Sequence, residues 1–204
     1  MKGSVTDYIS FKIPYIKEIV YNSAKEYGEK TAFVIKQKNG KEVTYKNVSF
    51  KEFLNDINAF GTQLYKLGCK NKRIAIAGRN RYEWVVTHLA NLTGGIVSIP
   101  LDKELQIDEF ESCLERSKAD VLVFDEKYTE MIEEINKRGK THVKEYICMT
   151  EQEGYKNFWK LKEEGAILVE QGEKEYINAE IDPYKMAILL FTSGTTSKSK
   201  AVML

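Results

Sequence analysis

Residues 192–200 read Thr192-Ser193-Gly194-Thr195-Thr196-Ser197-Lys198-Ser199-Lys200 and hold the densest chemistry in the chain. Six of these nine side chains are hydroxyls, two are lysines and one is glycine. Hydroxyls and backbone N–H groups donate to phosphoryl oxygens, glycine lets the backbone approach them, and lysine neutralises their charge. Placed after the apolar run Met186–Phe191, such a segment is chemically a polyphosphate site. By composition alone a flexible tail is the commoner reading, so the order of the residues has to decide. No G-x-x-x-x-G-K-[ST] and no G-x-G-x-x-G occurs in the chain, so the P-loop and dinucleotide fingerprints are absent. The apolar Ala201-Val202-Met203-Leu204 that follows predicts strand–loop–strand, not strand–loop–helix.

The remaining reactive residue types are sparse. Cys69, Cys113 and Cys148 form no C-x-x-C pair and are odd in number, which predicts reduced, buried thiols in place of a disulfide framework or zinc site. His88 falls among Trp84, Val85, Leu89 and Leu92 and reads as a core or boundary histidine. His142, among Lys140, Thr141 and Lys144, reads as solvated loop.

The elements that must position the 192–200 segment follow from periodicity. Ile16, Ile19, Val20, Ala24 and Tyr27 recur at helical spacing. Two β-rich runs, 31–38 and 41–48, are divided by Asn39-Gly40, a pair suited to the two positive φ angles of a type I′ turn. Ser49-Phe50-Lys51-Glu52 matches a capping box, and the helix it opens runs to Leu67 before Gly68. From residue 72 strands and helices alternate: strands at 72–77, 95–99, 120–124 and 145–149, helices at 80–92, 107–117 and 127–137. The runs Ile74–Ala77, Ile96–Ile99, Val121–Phe124 and Tyr146–Met149 are apolar almost throughout, as strands covered on both faces are. Such alternation predicts right-handed βαβ crossovers: a doubly wound α/β core with a mainly parallel sheet and helices on both faces, preceded by an N-terminal helix and β-hairpin. Phe158, Trp159, Leu161, Leu168 and Val169 predict one more helix with Gly165 inside it, followed by an acidic connector, 171–182. Asn80 and Glu83 have the spacing of a second capping box, so the polar stretch Arg79–Trp84 reads as architecture.

The whole-chain numbers are those of a globular protein: 204 residues, 43 % hydrophobic and 30 % charged. A net charge of +1 lacks the basic excess of a general nucleic-acid binder. The longest apolar stretch, Met186–Phe191, is too short to span a bilayer, and Met1–Asp7 has no apolar signal-peptide core. A cytoplasmic protein without a transmembrane segment is the expectation.

The order of residues Phe191-Thr192-Ser193-Gly194-Thr195-Thr196, with Lys200 and Val202 following, resembles the phosphate-binding signature of the adenylate-forming (AMP-binding) superfamily. That signature runs aromatic-Thr-Ser-Gly-Thr-Thr-Gly-x-Pro-Lys-Gly-Val; here Ser197, Ser199 and Ala201 stand in place of Gly, Pro and Gly. Asn80-Arg81-Tyr82-Glu83-Trp84, the stretch Gly94–Asp102, Asp182-Pro183, and Thr44-Tyr45 before the capped helix are similar to bacterial long-chain fatty-acid–CoA ligases. The resemblance thus covers nearly the whole chain.

It implies a two-step reaction in which a carboxylic acid and ATP give an acyl-adenylate and pyrophosphate, and CoA then displaces AMP. Thr192, Ser193, Thr195 and Thr196 are implied as contacts to the β- and γ-phosphates, Gly194 as the point of close approach, and Lys200 as the neutralising cation; a plain solvated lysine is the alternative for Lys200. ATP, Mg2+ and CoA are implied for the full-length enzyme, with a fatty or other carboxylic acid as substrate. Residues 1–204 then form the N-terminal part of the large AMP-binding domain: helix, hairpin and capped helix in 1–70, the βαβ core in 71–150, and helix, connector, strand and loop in 151–204. The resemblance implies that the C-terminal domain, and the parts that bind adenine, ribose and the metal, would follow Leu204. An inactive isolated chain is expected, with a homodimer paired through Ala201–Leu204 as a further expectation. Two alternatives remain at this point, a stand-alone α/β binding module and a fragment of an amino-acid-activating adenylation domain.

Overall fold

Four buried strands from the middle of the chain line up in parallel, and the rest of the molecule is arranged on them. The computed structural model describes residues 15–40, 42–192 and 199–204. Strands β3 (Arg73–Ala77), β4 (Val97–Leu101), β5 (Val121–Phe124) and β6 (Glu145–Cys148) are joined by a two-residue β7 (Lys156–Asn157) in the order β4-β3-β5-β6-β7. Every neighbouring pair is parallel. Side chains alternate between two cores. Ile74, Ile76, Val121, Val123 and Ile147 face one, and Ala75, Ala77, Leu122, Phe124 and Cys148 face the other. Both faces are dry, which is why the strands read as continuous apolar runs. β7 has no apolar run of its own and was not foreseen.

The chain passes from β3 out to β4 and then back across β3 to β5, so right-handed crossovers place the connecting helices on opposite faces. Helices α2 (Phe50–Lys66), α3 (Tyr82–Thr93) and α6 (Phe158–Glu170) cover one face, and α4 (Ile107–Ser117) and α5 (Thr129–Arg138) cover the other. The expected doubly wound α/β architecture is the one observed. Helix α1 (Ile16–Tyr27) and the hairpin of β1 (Thr31–Asn39) and β2 (Glu42–Ser49) precede it.

Local capping decides where α2 begins. Ser49 Oγ accepts from the Glu52 N–H at 3.2 Å, and the Glu52 carboxylate accepts from the Ser49 N–H at 2.7 Å. Gly165 lies in mid-helix for a different reason. A Cβ there would sit 1.9 Å from the Ala59 carbonyl oxygen, so only glycine lets α6 lie this close to α2.

Three local expectations are corrected. The second capping box does not form: Arg81, extended, is the N-cap of α3, and no side chain caps it. The Glu83 carboxylate instead takes two hydrogen bonds from Arg81, at 2.9 Å each, and one from Trp159 Nε1 at 3.0 Å. A bidentate guanidinium pair is about twice as strong as a neutral hydrogen bond and outcompetes the cap. In the hairpin, Asn39 pairs with Glu42, so Gly40 (φ +63°) is the first central residue of the turn and not the second. Helix α5 starts at Thr129, two residues later than expected, because Asp125 turns the chain into a short 3-10 segment, Glu126–Tyr128.

All three cysteines are buried and unpaired, as expected. Burial pushes the Cys69 thiol up to about 11. Among the described residues, no helix is long and apolar enough to cross a membrane.

Candidate functional site

Strand β8 (Leu189–Thr192) enters beside β4 and runs parallel to it. The Ser98 N–H donates to the Ala187 carbonyl at 2.9 Å, and Ser98 bridges Ile188. Ser98 is fully buried and is itself fixed by His88, whose Nδ1 lies 2.8 Å from Ser98 Oγ. His88 is therefore a boundary residue tying α3 to β4, and burial lowers its pKa. Strand β9 (Lys200–Met203) returns antiparallel to β8, pairing Leu189 with Met203 and Thr192 with Lys200. The expected strand–loop–strand is thus observed, hung on the β4 edge of the main sheet.

This placement brings two of the six candidate residues together. Thr192 and Lys200 form the last pair of the hairpin, and side chains of directly opposed residues share one face of a sheet. The Thr192 hydroxyl donates to the Lys200 carbonyl at 3.4 Å. Both residues are exposed, so a hydroxyl and an ammonium are presented side by side to solvent. Ser193, Gly194, Thr195 and Thr196 lie outside the described residues.

The loop end of the hairpin is held from the second face of the sheet. Ser199 is 8 % exposed, and its Oγ is 3.9 Å from the Sγ of Cys113 on α4. One turn along α4, the Arg116 guanidinium lies 5.3 Å from the centre of the Phe191 ring, within cation–π reach. From sequence Cys113 reads as a buried thiol and Ser199 as a departure from the family signature; their meeting depends on tertiary packing that no local pattern encodes.

Because β8 is parallel to β4, its carboxyl end points to the same edge of the sheet as the carboxyl ends of β3 and β5. In open α/β sheets that edge carries the ligands. The crevice between β3 and β5, where the strand order reverses, is filled by charge. Asp125 is completely buried and accepts from Arg79 Nε and Nη2 at 2.8 Å each. Arg81 reaches the same carboxylate at 3.5 Å and Glu126 at 3.0 Å. Burial opposes ionisation of Asp125, but the Arg79 hydrogen bonds and the Lys127 N–H outweigh it and hold the carboxyl down at about 2. The same contacts raise the pKa of Arg79. Arg79 and Arg81 thus belong to the architecture of this edge, as the sequence reading held, through partners it did not name. Acids directly after one apolar strand and arginines two and four residues after another were the available signal.

Chemically, the edge presents the Thr192 hydroxyl and the Lys200 ammonium beside a crevice already neutralised by its own ion pairs. Among the described residues no group of three His, Cys, Asp or Glu side chains is placed to hold a metal.

Comparison with known proteins agrees with this geometry. Crotonobetaine/carnitine–CoA ligase of Shigella flexneri is 26 % identical over 196 residues, which is 93 % of this chain and 36 % of that protein. The enzyme of the same name from Escherichia coli matches at the same identity and coverage. Among solved structures, a long-chain-fatty-acid–CoA ligase from Archaeoglobus fulgidus superposes with a TM-score of 0.77 at 19 % identity, covering 96 % of this chain and 37 % of that one. The luciferase-like enzyme of the mealworm Zophobas morio superposes with a TM-score of 0.76 at 17 % identity, covering 97 % and 44 %. At such identities the superpositions speak to the fold. The chain spans about 36 % of the length of the relatives it matches in sequence. The family described as AMP-binding enzyme matches residues 20–204. With nine-tenths of its length matched, this chain belongs to the AMP-binding enzyme family.

Proposed function

We propose that this chain supplies the phosphate-binding hairpin of an ATP-dependent acyl–CoA ligase whose acyl substrate is a fatty or other carboxylic acid. In that reaction a carboxylate oxygen attacks the α-phosphorus of ATP. The bond from the α-phosphorus to the oxygen bridging it to the β-phosphorus breaks, and pyrophosphate leaves with the electron pair. The CoA thiol, giving up its proton, then attacks the acyl carbonyl carbon and expels AMP. Charge in the first step develops on the departing pyrophosphate, and donors already in place there stabilise the transition state without reorganisation.

The roles assigned to this chain are those of binding and charge neutralisation. Hydroxyls of Thr192, Ser193, Thr195 and Thr196 donate to β- and γ-phosphate oxygens, Gly194 admits the phosphates to the backbone, and Lys200 neutralises them. No catalytic acid or base is assigned. Mg2+ would shield phosphate charge when it accompanies ATP; among the described residues no group of three His, Cys, Asp or Glu side chains is placed to hold it. The observation that carries the reading is the pairing of Thr192 with Lys200 at the carboxyl edge of a parallel sheet, in a chain of this family.

Calorimetric titration with ATP-Mg2+ tests it. The chain should bind, and Lys200→Ala should weaken binding about tenfold, the equivalent of one charge-assisted hydrogen bond. Absence of binding, or equal binding by the variant, refutes the assignment. The isolated 204-residue chain should also give no ATP–pyrophosphate exchange with any carboxylate; robust exchange would show that the chemistry needs nothing beyond it.

A further inference from the structure

The connector 171–182 crosses the α2–α3 face with exposed residues on both sides of one that is fully buried. Glu173, Lys174 and Glu175 face solvent, whereas Tyr176 is 1 % exposed. Its ring fills a slot between two glycines. A Cβ on Gly61 of α2 would lie 2.0 Å from the ring carbon Cζ, and a Cβ on Gly94, after α3, would lie 2.4 Å from Cε2. Any side chain at either position closes the slot.

The floor of the slot is polar. The Tyr176 oxygen lies 2.9 Å from the Ala90 carbonyl and 2.7 Å from Thr93 Oγ1, and Thr93 Oγ1 lies 2.8 Å from the Leu89 carbonyl. The Ala90 carbonyl also accepts the Gly94 N–H at 3.1 Å, and the phenolic O–H adds to this floor a further donor that an apolar ring would not supply. Burial raises the pKa of this phenol and keeps it in its neutral form, able to donate to the Ala90 carbonyl. Tyr65 stands edge-on to the ring, centres 5.3 Å apart at 89°, and donates its own hydroxyl to the Gly94 carbonyl at 2.6 Å. Width, floor and wall therefore all select a neutral phenol.

What the ring holds in place is the connector. A cavity of about 450 Å³ lies beside the slot, lined by Tyr65 and Gly94 on the helical side and by Glu175, Asn178 and Ile181 of the connector on the other. Other ties to the connector include the Lys70–Glu175 ion pair, whose two side chains are both more than half exposed, and a Lys17 hydrogen bond to the Ala179 carbonyl. An exposed pair of that kind contributes little.

We propose that the Gly61–Gly94 slot is a binding site for a phenolic ring, occupied in cis by Tyr176, and that the connector is a strap latched by that ring. Vacated, the slot accepts a free phenol. The inference uses no residue of the phosphate hairpin and stands apart from the proposed function.

The test is thermal melting of Tyr176→Gly in the presence of phenol, with toluene as the control that lacks the hydroxyl. Phenol near saturation should raise the melting temperature of the variant by about 4 °C or more and leave the unsubstituted chain unmoved. Toluene should give less than half that shift. No shift in the variant, an equal shift in both proteins, or toluene matching phenol would overturn the proposal. Should Tyr176→Gly not fold alone, refolding in phenol replaces the melt: recovery of native near-ultraviolet dichroism supports the site, and failure with and without phenol counts against it. Limited proteolysis of Gly61→Ala gives a second reading. The added methyl group evicts the ring, so cleavage within 171–182 should become at least tenfold faster while the helical signal is retained, and phenol should not slow it. Unchanged protection, or digestion spread over the whole chain, would refute the latch.

Discussion

Asp125, buried at the carboxyl end of β5, grips Arg79 from the end of β3 through two hydrogen bonds of 2.8 Å. The two residues close the crevice where the strand order reverses, the position that open α/β sheets leave for ligands. In this chain the pair welds the loops after β3 and β5 together, and the hairpin two strands away is left as the exposed feature of the edge.

That pair makes stability acid-sensitive in a defined direction. The Asp125 carboxyl sits at about 2 in the folded chain against 3.8 as its ordinary value. Its contribution, about 2 kcal/mol, is complete above roughly pH 5 and is lost as the pH falls toward 2. Urea titrations between pH 7 and pH 2.5 should show this decline. Asp125→Asn should cost about 3 kcal/mol at pH 7, because it leaves arginine charge against a buried neutral amide, and should flatten the acid limb. An acid limb unchanged in the variant would contradict the assignment.

Gly165→Ala sets helix propensity against packing. Alanine is better than glycine in a helix by about 1 kcal/mol. The new Cβ, however, would lie 1.9 Å from the Ala59 carbonyl, backbone that must move. Overpacking of this kind costs about 1–3 kcal/mol, so a net loss of stability is expected in chemical denaturation. A gain would mean that α6 can shift away from α2 freely.

The two capping sequences should behave differently. Ser49→Ala removes an observed reciprocal cap and should cost about 1 kcal/mol. Asn80→Ala removes none, since Arg81 is the N-cap of α3, and should stay within about 0.5 kcal/mol. Denaturation midpoints of the two variants decide this directly.

Lys200→Ala should separate binding from folding. The side chain is exposed at the hairpin end, so thermal stability should change by no more than about 0.5 kcal/mol while ATP affinity falls. A large loss of stability would instead make Lys200 structural.

Much of this molecule was legible in its sequence because the signals were local. The apolar runs at 74–77, 96–99 and 121–124 became β3, β4 and β5, since burial on both faces leaves no alternation to hide. Ser49 and Glu52 capped α2 because a capping box is completed within four residues. The order of residues from Phe191 to Val202 carried the family, and the apolar residues on both sides of it carried the strand–loop–strand form. Helix α4 was expected at 107–117 and is observed there.

Tertiary structure decided what depends on residues distant in the chain. Whether Glu83 caps a helix or binds Arg81 and Trp159 is a competition, and the winner lies 76 residues away in one case. Gly61 and Gly94 look like ordinary small residues until Tyr176 arrives between them. Asp125 finds only the Lys127 N–H in its own neighbourhood, and the return of the chain across β3 is what brings Arg79 to it. Sequence alone determined most of the elements and the class of the fold, and it named the residues proposed to meet a phosphate. The three-dimensional packing determined which of them meet, because short-range hydrogen bonds and steric fit act on distances in space and not along the chain.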